Sequence, residues 1–133
     1  MKYPVAISKE EGSCYGVTVP DVPGCFSAGD TLDEALSNVK EALSDHLELL
    51  AEDSQVAPKA SLVDAFINNQ DYQRAIWAYI DIDVSAFLGK TEKATITLPK
   101  LLITQIDKAV SKGAAKSRSA FLADSAIKAL GAG

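Results

Sequence analysis

The stretch Lys93-Ala94-Thr95-Ile96-Thr97-Leu98-Pro99 decides how the rest of the chain is read. Ala94, Ile96 and Leu98 alternate with Lys93, Thr95 and Thr97, the period of two that sets apolar side chains on one face of a strand and polar ones on the other. So short a strand is not stable alone, and no second strand with turn chemistry follows before the next helical pattern. The spacing therefore predicts pairing with the same strand of another copy, in a homodimer or a tetramer. Pro99 is expected at the first position of a helix, where a missing N–H costs nothing. Leu102, Ile106, Ala109 and Val110 then recur at helical spacing as far as Lys112-Gly113. Ser117 is a good N-cap for a second helix, striped by Phe121, Leu122, Ala126, Ile127 and Leu130. The free N–H groups of its first turn, beside Arg118 and Ser119, form an anion site.

The chain has 133 residues, 47% of them hydrophobic and 23% charged, a globular composition for one ordinary domain or two small ones. Its longest apolar run, residues 75 to 84, is interrupted by Asp81 and Asp83 and falls short of the roughly 20 residues a membrane span needs. Met1-Lys2-Tyr3-Pro4 leads straight into strand-like sequence with no apolar signal region, so a cytoplasmic protein with no membrane partner is expected. Cys14 and Cys25 fit neither a redox pair nor a zinc hook and read as reduced thiols. His46, the lone histidine, lies at the edge of an apolar helical face and reads as half-buried and hydrogen-bonded. No metal or cofactor is expected. Charge divides the chain: residues 1 to 90 hold 6 Lys plus Arg against 15 Asp plus Glu, a net of −9, and residues 91 to 133 hold 7 against 3, a net of +4. Opposite signs suggest a basic DNA module joined to an acidic module with another partner.

From the start of the chain, Tyr3, Val5 and Ile7 alternate in an amphipathic strand, and Lys9-Glu10-Glu11-Gly12-Ser13 turns it into a second strand at Tyr15 to Val19. Pro20 to Thr31 is dense in turn formers yet carries Val22 and Phe26 inward, an ordered turn leading to a third strand around Cys25 to Ala28. Thr31 and Glu34 make a capping box for a helix running to about Ala51, with Leu32, Ala35, Leu36, Val39, Leu43, Leu47 and Leu50 on one face. Ser61 to Phe66 can start a short helix, and residues 74 to 84 are rich in β-formers and make a last strand. The expected fold class is α+β: a βββαβ domain over residues 1–88, then the strand-helix-helix module over 89–133.

Strand, helix, Ser-Arg-Ser turn and helix together resemble the ribbon-helix-helix repressors of the Arc and MetJ type, over about 38 residues, 93 to 130. That resemblance implies an antiparallel ribbon whose polar face enters the major groove, while the second helix aims its N-terminus at a phosphate. Lys93, Thr95 and Thr97 would meet base edges, and Ser117, Arg118 and Ser119 the backbone. The ribbon holds no Arg, Asn or Gln for bidentate reading, so phosphate contacts and DNA shape would dominate. A wider resemblance covers nearly the whole chain. Val17-Thr18-Val19-Pro20-Asp21-Val22-Pro23-Gly24-Cys25, followed by Ala28-Gly29-Asp30-Thr31-Leu32-Asp33-Glu34-Ala35-Leu36, is similar to the signature of the HicB family of antitoxins. Ile96-Thr97-Leu98-Pro99, Ile106-Asp107 and Ser117-Arg118-Ser119-Ala120-Phe121-Leu122-Ala123 resemble the HicB subgroup with a ribbon-helix-helix tail. The resemblance implies a partial RNase H-like domain that binds and neutralises a HicA-like mRNA-cleaving toxin, and a tail that represses the operon by binding operator DNA. An acidic domain suits a basic RNA-cleaving partner, and Glu34, Glu41, Asp45 and Glu48 on the first helix with Asp81 and Asp83 on the last strand are the candidate toxin contacts.

Two rival readings start from other residues. Metal-dependent nuclease chemistry needs several carboxylates around Mg²⁺, and Asp21, Asp30, Asp45, Asp81 and Asp83 are the available set. Asp21 and Asp30 read instead as turn residues bonding their own backbone, and Asp81 and Asp83 as the solvated face of a strand, so no catalytic residue and no enzyme is expected. The other rival is a ligand-sensing ribbon-helix-helix repressor without a toxin partner. No phosphate-cradling glycine loop, metal-spaced His/Cys set or aromatic cage is visible to name its ligand.

Overall fold

The computed structural model describes residues 1–131, and the chain divides into two compact units, Met1–Gly89 and Lys90–Gly133. Ala132 and Gly133, the end of the expected 89–133 module, lie outside the described residues.

In the first unit β1 (Lys2–Lys9), β2 (Tyr15–Thr18), β3 (Phe26–Gly29), α1 (Leu32–Glu52) and β4 (Ile76–Asp81) follow one another in an α+β order. The sheet is antiparallel throughout, with strand order β3-β2-β1-β4. Ile7 stands opposite Val17 on one side and Ile76 on the other, and Tyr3 opposite Ile80, so Tyr3, Val5, Ile7 and Val17 share the face that α1 covers. Ala35, Val39, Leu43 and Leu47, spaced by four, form the buried ridge of α1. Burial of Leu43 and of Leu47 stabilises the unit by roughly 1.5–3 kcal/mol each. The helix starts where Thr31 Oγ1 accepts the Glu34 N–H at 3.1 Å. Gly29 lets β3 meet that first turn, because a Cβ there would stand 2.5 Å from the Ala35 nitrogen.

β1 is not the amphipathic strand its alternation suggests: Pro4 and Ala6 are buried along with Tyr3, Val5 and Ile7. The cause is the connector after α1, which folds over the second face of the sheet. Trp77 stands directly opposite Ala6 on that face. Phe66 stacks on Trp77 with ring centroids 6.1 Å apart, and Tyr72 meets Trp77 edge-on at 5.5 Å. Ser61 fastens the connector by donating its N–H and its hydroxyl to Asp21 at 2.8 and 2.6 Å, and Tyr79 Oη accepts the Val63 N–H at 3.1 Å. The expected short helix from Ser61 is only a 3-10 turn at Val63–Ala65, and the expected strand over 74–84 is confined to Ile76–Asp81. Phe26 does not point inward: it stands opposite Thr18 on the face away from α1, 69% exposed, and Cys25 takes the buried place.

The second unit consists of α2 (Lys100–Ser111) and α3 (Arg118–Gly131). Pro99 caps α2 with φ −56° and ψ 140° instead of opening it, and Lys100 is the first helical residue. Gly113, at φ +92°, adopts the left-handed conformation that ends the helix. Residues 93–98 form no ladder with any of the described residues; Lys93 to Thr97 are exposed and Leu98 is half-buried. No helix among the described residues is long and apolar enough to cross a membrane.

Candidate interaction surfaces

The start of α3 is built by Ser117. Its Oγ accepts the Ala120 N–H at 3.1 Å and its carbonyl accepts the Phe121 N–H at 3.0 Å. Among the described residues the N–H groups of Arg118 and Ser119 find no acceptor, the arrangement that offers an anion two donors at the positive end of a helix. The Arg118 side chain is engaged elsewhere. Its Nε and Nη2 donate to the two carboxylate oxygens of Asp107 on α2 at 3.0 and 2.8 Å. That fork holds the Asp107 carboxyl below the usual carboxylate range and raises the guanidinium in turn. Arg118 therefore braces α2 against α3, and of the two groups only the backbone N–H donors are left open to an anion. Lys93, Thr95 and Thr97 are exposed in the irregular stretch before α2, a helix of 12 residues that lies between them and α3 in the chain. About 18 Å of helix separates the two sets, so one chain would touch a duplex at two separate places.

The acidic residues divide unevenly. Glu34, Glu41, Asp45 and Glu48 are all exposed on one ridge of α1, opposite the buried ridge of Ala35, Val39, Leu43 and Leu47. Glu52 continues the same ridge, a residue that its spacing from Glu34 and Glu41 could have added. Asp81 and Asp83 do not join them. Asp81 pairs with Lys2 on the sheet face away from α1 and lies 3.5 Å from the N-terminal ammonium. Asp83 stands beyond β4 and caps the 3-10 turn Val84–Phe87, accepting the Ser85 hydroxyl at 2.6 Å and the Ser85 N–H at 3.0 Å. Those two bonds hold its carboxyl below the ordinary range.

Asp21 does not bond its own turn. It reaches Ser61, and its charge adds to burial in pushing the Tyr3 hydroxyl up to about 12, while that hydroxyl donates to Pro58 O at 2.6 Å. His46 is half-buried, with Nδ1 3.0 Å from the Ala42 carbonyl. Cys14 is exposed and Cys25 buried, both as free thiols, and burial pushes the Cys25 thiol up. Among the described residues no three His, Cys, Asp or Glu gather as a metal site would require.

An acidic α+β unit in tandem with a basic helical unit defines a two-part binding protein. The chain belongs to the HicB-like antitoxins of bacterial toxin-antitoxin systems, whose family model matches residues 3–126. It is 44% identical over 131 residues, 98% of either chain, to an uncharacterised 14.9 kDa protein from the rep-hol intergenic region of Haemophilus phage HP1. The crystal structure of the antitoxin HicB from Burkholderia pseudomallei matches with 38% identity and a TM-score of 0.77 over 98% of both chains. A chain of a HicA3 and HicB3 toxin-antitoxin complex matches with 28% identity and a TM-score of 0.54, covering 62% of this chain and 99% of its own length. The family is one of antitoxins and not of enzymes.

Proposed function

We propose that this antitoxin divides its work between its units: the first binds and neutralises a HicA-like mRNA-cleaving toxin, and the second represses the operon by binding operator DNA. The observation that carries the division is the charge split between two separately packed units, a net of −10 over Met1–Gly89 (5 Lys plus Arg against 15 Asp plus Glu) and +5 over Lys90–Gly133 (8 against 3). A toxin that holds RNA presents cations, and an acidic surface meets them at the site its substrate would use. The α1 ridge of Glu34, Glu41, Asp45 and Glu48 steers that encounter, with Asp81 and Asp83 contributing from elsewhere on the unit. The HicA3 and HicB3 complex supports the choice of partner.

In the second unit, residues 93–98 pair with the same strand of another copy and turn Lys93, Thr95 and Thr97 into the major groove. The N–H groups of Arg118 and Ser119 then hold a phosphate. Uncovered apolar side chains support the dimer: Ile96 is 60% and Leu101 71% exposed, and Leu102 and Leu130 of the same unit are exposed too. Both partners place the protein in the cytoplasm. The test is co-expression with the neighbouring toxin and a footprint of the upstream region. Reversal of Glu41, Asp45 and Glu48 to Lys should slow toxin association and leave the footprint unchanged, whereas Ile96→Asp should abolish the footprint and leave rescue in place. Rescue lost in Ile96→Asp with the first unit folded would assign the toxin to the tail and overturn the division.

A further inference from the structure

The connector between α1 and β4 is held at both ends by backbone that glycine would ordinarily occupy. After α1, the Gln55 N–H donates to the Leu50 carbonyl at 2.8 Å and the Ser54 N–H to the Ala51 carbonyl at 3.0 Å, the paired bonds of a helix stop whose turning residue is left-handed. That residue is Ser54, at φ +59°. Before β4, the Ala75 N–H donates to the Tyr72 carbonyl at 3.2 Å, with Gln73 at φ −61° and ψ 138° and Arg74 at φ +67°. This is the pattern of a type II turn, whose third residue needs a positive φ and favours glycine. Every other positive φ among the described residues falls on a glycine. The path of residues 55–73 therefore carries a backbone cost at each of its two ends, where a side chain opposes the left-handed region.

What offsets that cost reaches across to three separate parts of the unit. Tyr3 Oη on β1 donates to the Pro58 carbonyl, Asp21 between β2 and β3 accepts both bonds from Ser61, and Tyr79 Oη on β4 accepts the Val63 N–H. Phe66 and Tyr72 set their rings on Trp77. None of residues 55–73 is fully buried, and neither 3-10 turn within them, Val63–Ala65 or Gln70–Tyr72, holds a buried residue. The opposite face of the sheet differs: Tyr3, Val5, Ile7 and Val17 are buried there with the ridge of α1. So few buried groups place the connector at the low end of local stability, and the strands with α1 at the high end. Beneath the connector, Phe26, Thr18, Ala6 and Trp77 stand in one cross-strand row that runs from β3 to β4. Phe66 and Tyr72 cover the Trp77 end of that row, and Phe26 at the other end is 69% exposed.

We propose that residues 55–73 are a strap, which lifts about Ser54 and Arg74 as one piece while α1 and the four strands stay folded. Lifting uncovers the whole row from Phe26 to Trp77, with Pro4 on the same face, and returns the Tyr3 hydroxyl, the Asp21 carboxylate and the Tyr79 hydroxyl to water. The occupant of the row in the closed state is the strap's own Phe66 and Tyr72. A partner for the open row has to compete with those two rings, so the closing equilibrium of the strap sets how strongly any such partner is held.

Hydrogen exchange on the full chain tests this, together with acrylamide quenching of Trp77, the single tryptophan. The amides of Phe66 and Asn69, bonded within the strap to the Val63 and Phe66 carbonyls, should exchange at least about tenfold faster than those of the β1–β4 ladder, and with little dependence on denaturant. Ser61→Ala removes one bond to a carboxylate, and should speed strap exchange by about tenfold and increase the quenching of Trp77. Ser54→Gly combined with Arg74→Gly relieves the left-handed cost, and should slow strap exchange by about threefold. Neither variant should alter the exchange of the β1–β4 ladder. Equal protection of strap and ladder amides, falling together as denaturant is added, would overturn the proposal. So would a ladder that accelerates as much as the strap in Ser61→Ala, because the strap would then unfold only with the sheet. Strap exchange that fails to slow in the glycine variant would remove the hinges from Ser54 and Arg74, and the proposal with them.

Discussion

β1 and the stretch before α2 carry the same alternation and meet opposite fates. Lys2–Lys9 lies between β2 and β4 with five consecutive residues buried, while 93–98 pairs with none of the described residues and leaves Ile96 exposed. Alternation records that a strand has an apolar face; it does not say what covers either face or whose strand completes the ladder. In β1 a connector supplies a second cover. For 93–98 no described residue supplies one, and under the proposed function a second copy does.

One substitution at both places breaks the comparison open, and it carries the largest expected effect. Val5→Asp buries a charge between α1 and the sheet, and should destabilise the first unit by more than about 4 kcal/mol, enough to abolish its cooperative transition in a circular dichroism melt. Ile96→Asp should leave that transition where it is, and halve the mass measured by light scattering. A melt of Ile96→Asp that loses the first-unit transition too would mean that the strand at 93–98 belongs to the same cooperative unit as β1.

Legibility in the sequence follows the same line. The cap at Thr31, the apolar ridge from Ala35 to Leu47, the Gly113 stop and the Ser117 cap were readable because each rests on neighbours within a few residues. What escaped depends on distant groups. The second cover of β1 needs the Phe66, Tyr72 and Trp77 cluster, and the bond of Asp21 to Ser61 spans 40 residues. Phe26 read as core by its hydrophobicity, but its place opposite Thr18 faces it outward. Of the two acidic residues expected on the last strand, Asp81 ends β4 and Asp83 lies just beyond it as the cap of a 3-10 turn, a boundary set by the Ser85 bonds. No local pattern announces the bond between Arg118 and Asp107, eleven residues apart across the turn from α2 to α3.

Smaller effects sharpen the reading of the second unit. Lys93→Ala should weaken operator binding and reduce the slope of log affinity against log salt by about one, the mark of a single lost phosphate contact. Thr95 and Thr97 changed together to Ala should leave the slope unchanged and reduce the preference for operator over random DNA, by on the order of tenfold. If the double substitution changes the slope and spares the preference, the threonines touch the backbone and the ribbon does not read sequence.

The smallest expected effect concerns the fork between Asp107 and Arg118, half-exposed on both sides and correspondingly screened. Its direction is nevertheless fixed. The folded unit holds the Asp107 carboxyl below its ordinary value, so the unfolded chain takes up the proton first as pH falls. The contribution of the pair is therefore fully present above the ordinary aspartate range and is lost as pH drops through the lowered folded value. Asp107→Asn should cause a slight loss of stability near neutral pH, and should flatten the acid side of the melting profile of the second unit. The same substitution releases the guanidinium and removes a negative charge beside the Arg118 and Ser119 N–H groups. DNA should then bind a little more tightly and with a steeper salt dependence. Tighter binding at an unchanged slope would show that Arg118 stays away from the phosphate when freed, and would leave the helix start as the whole of the anion site.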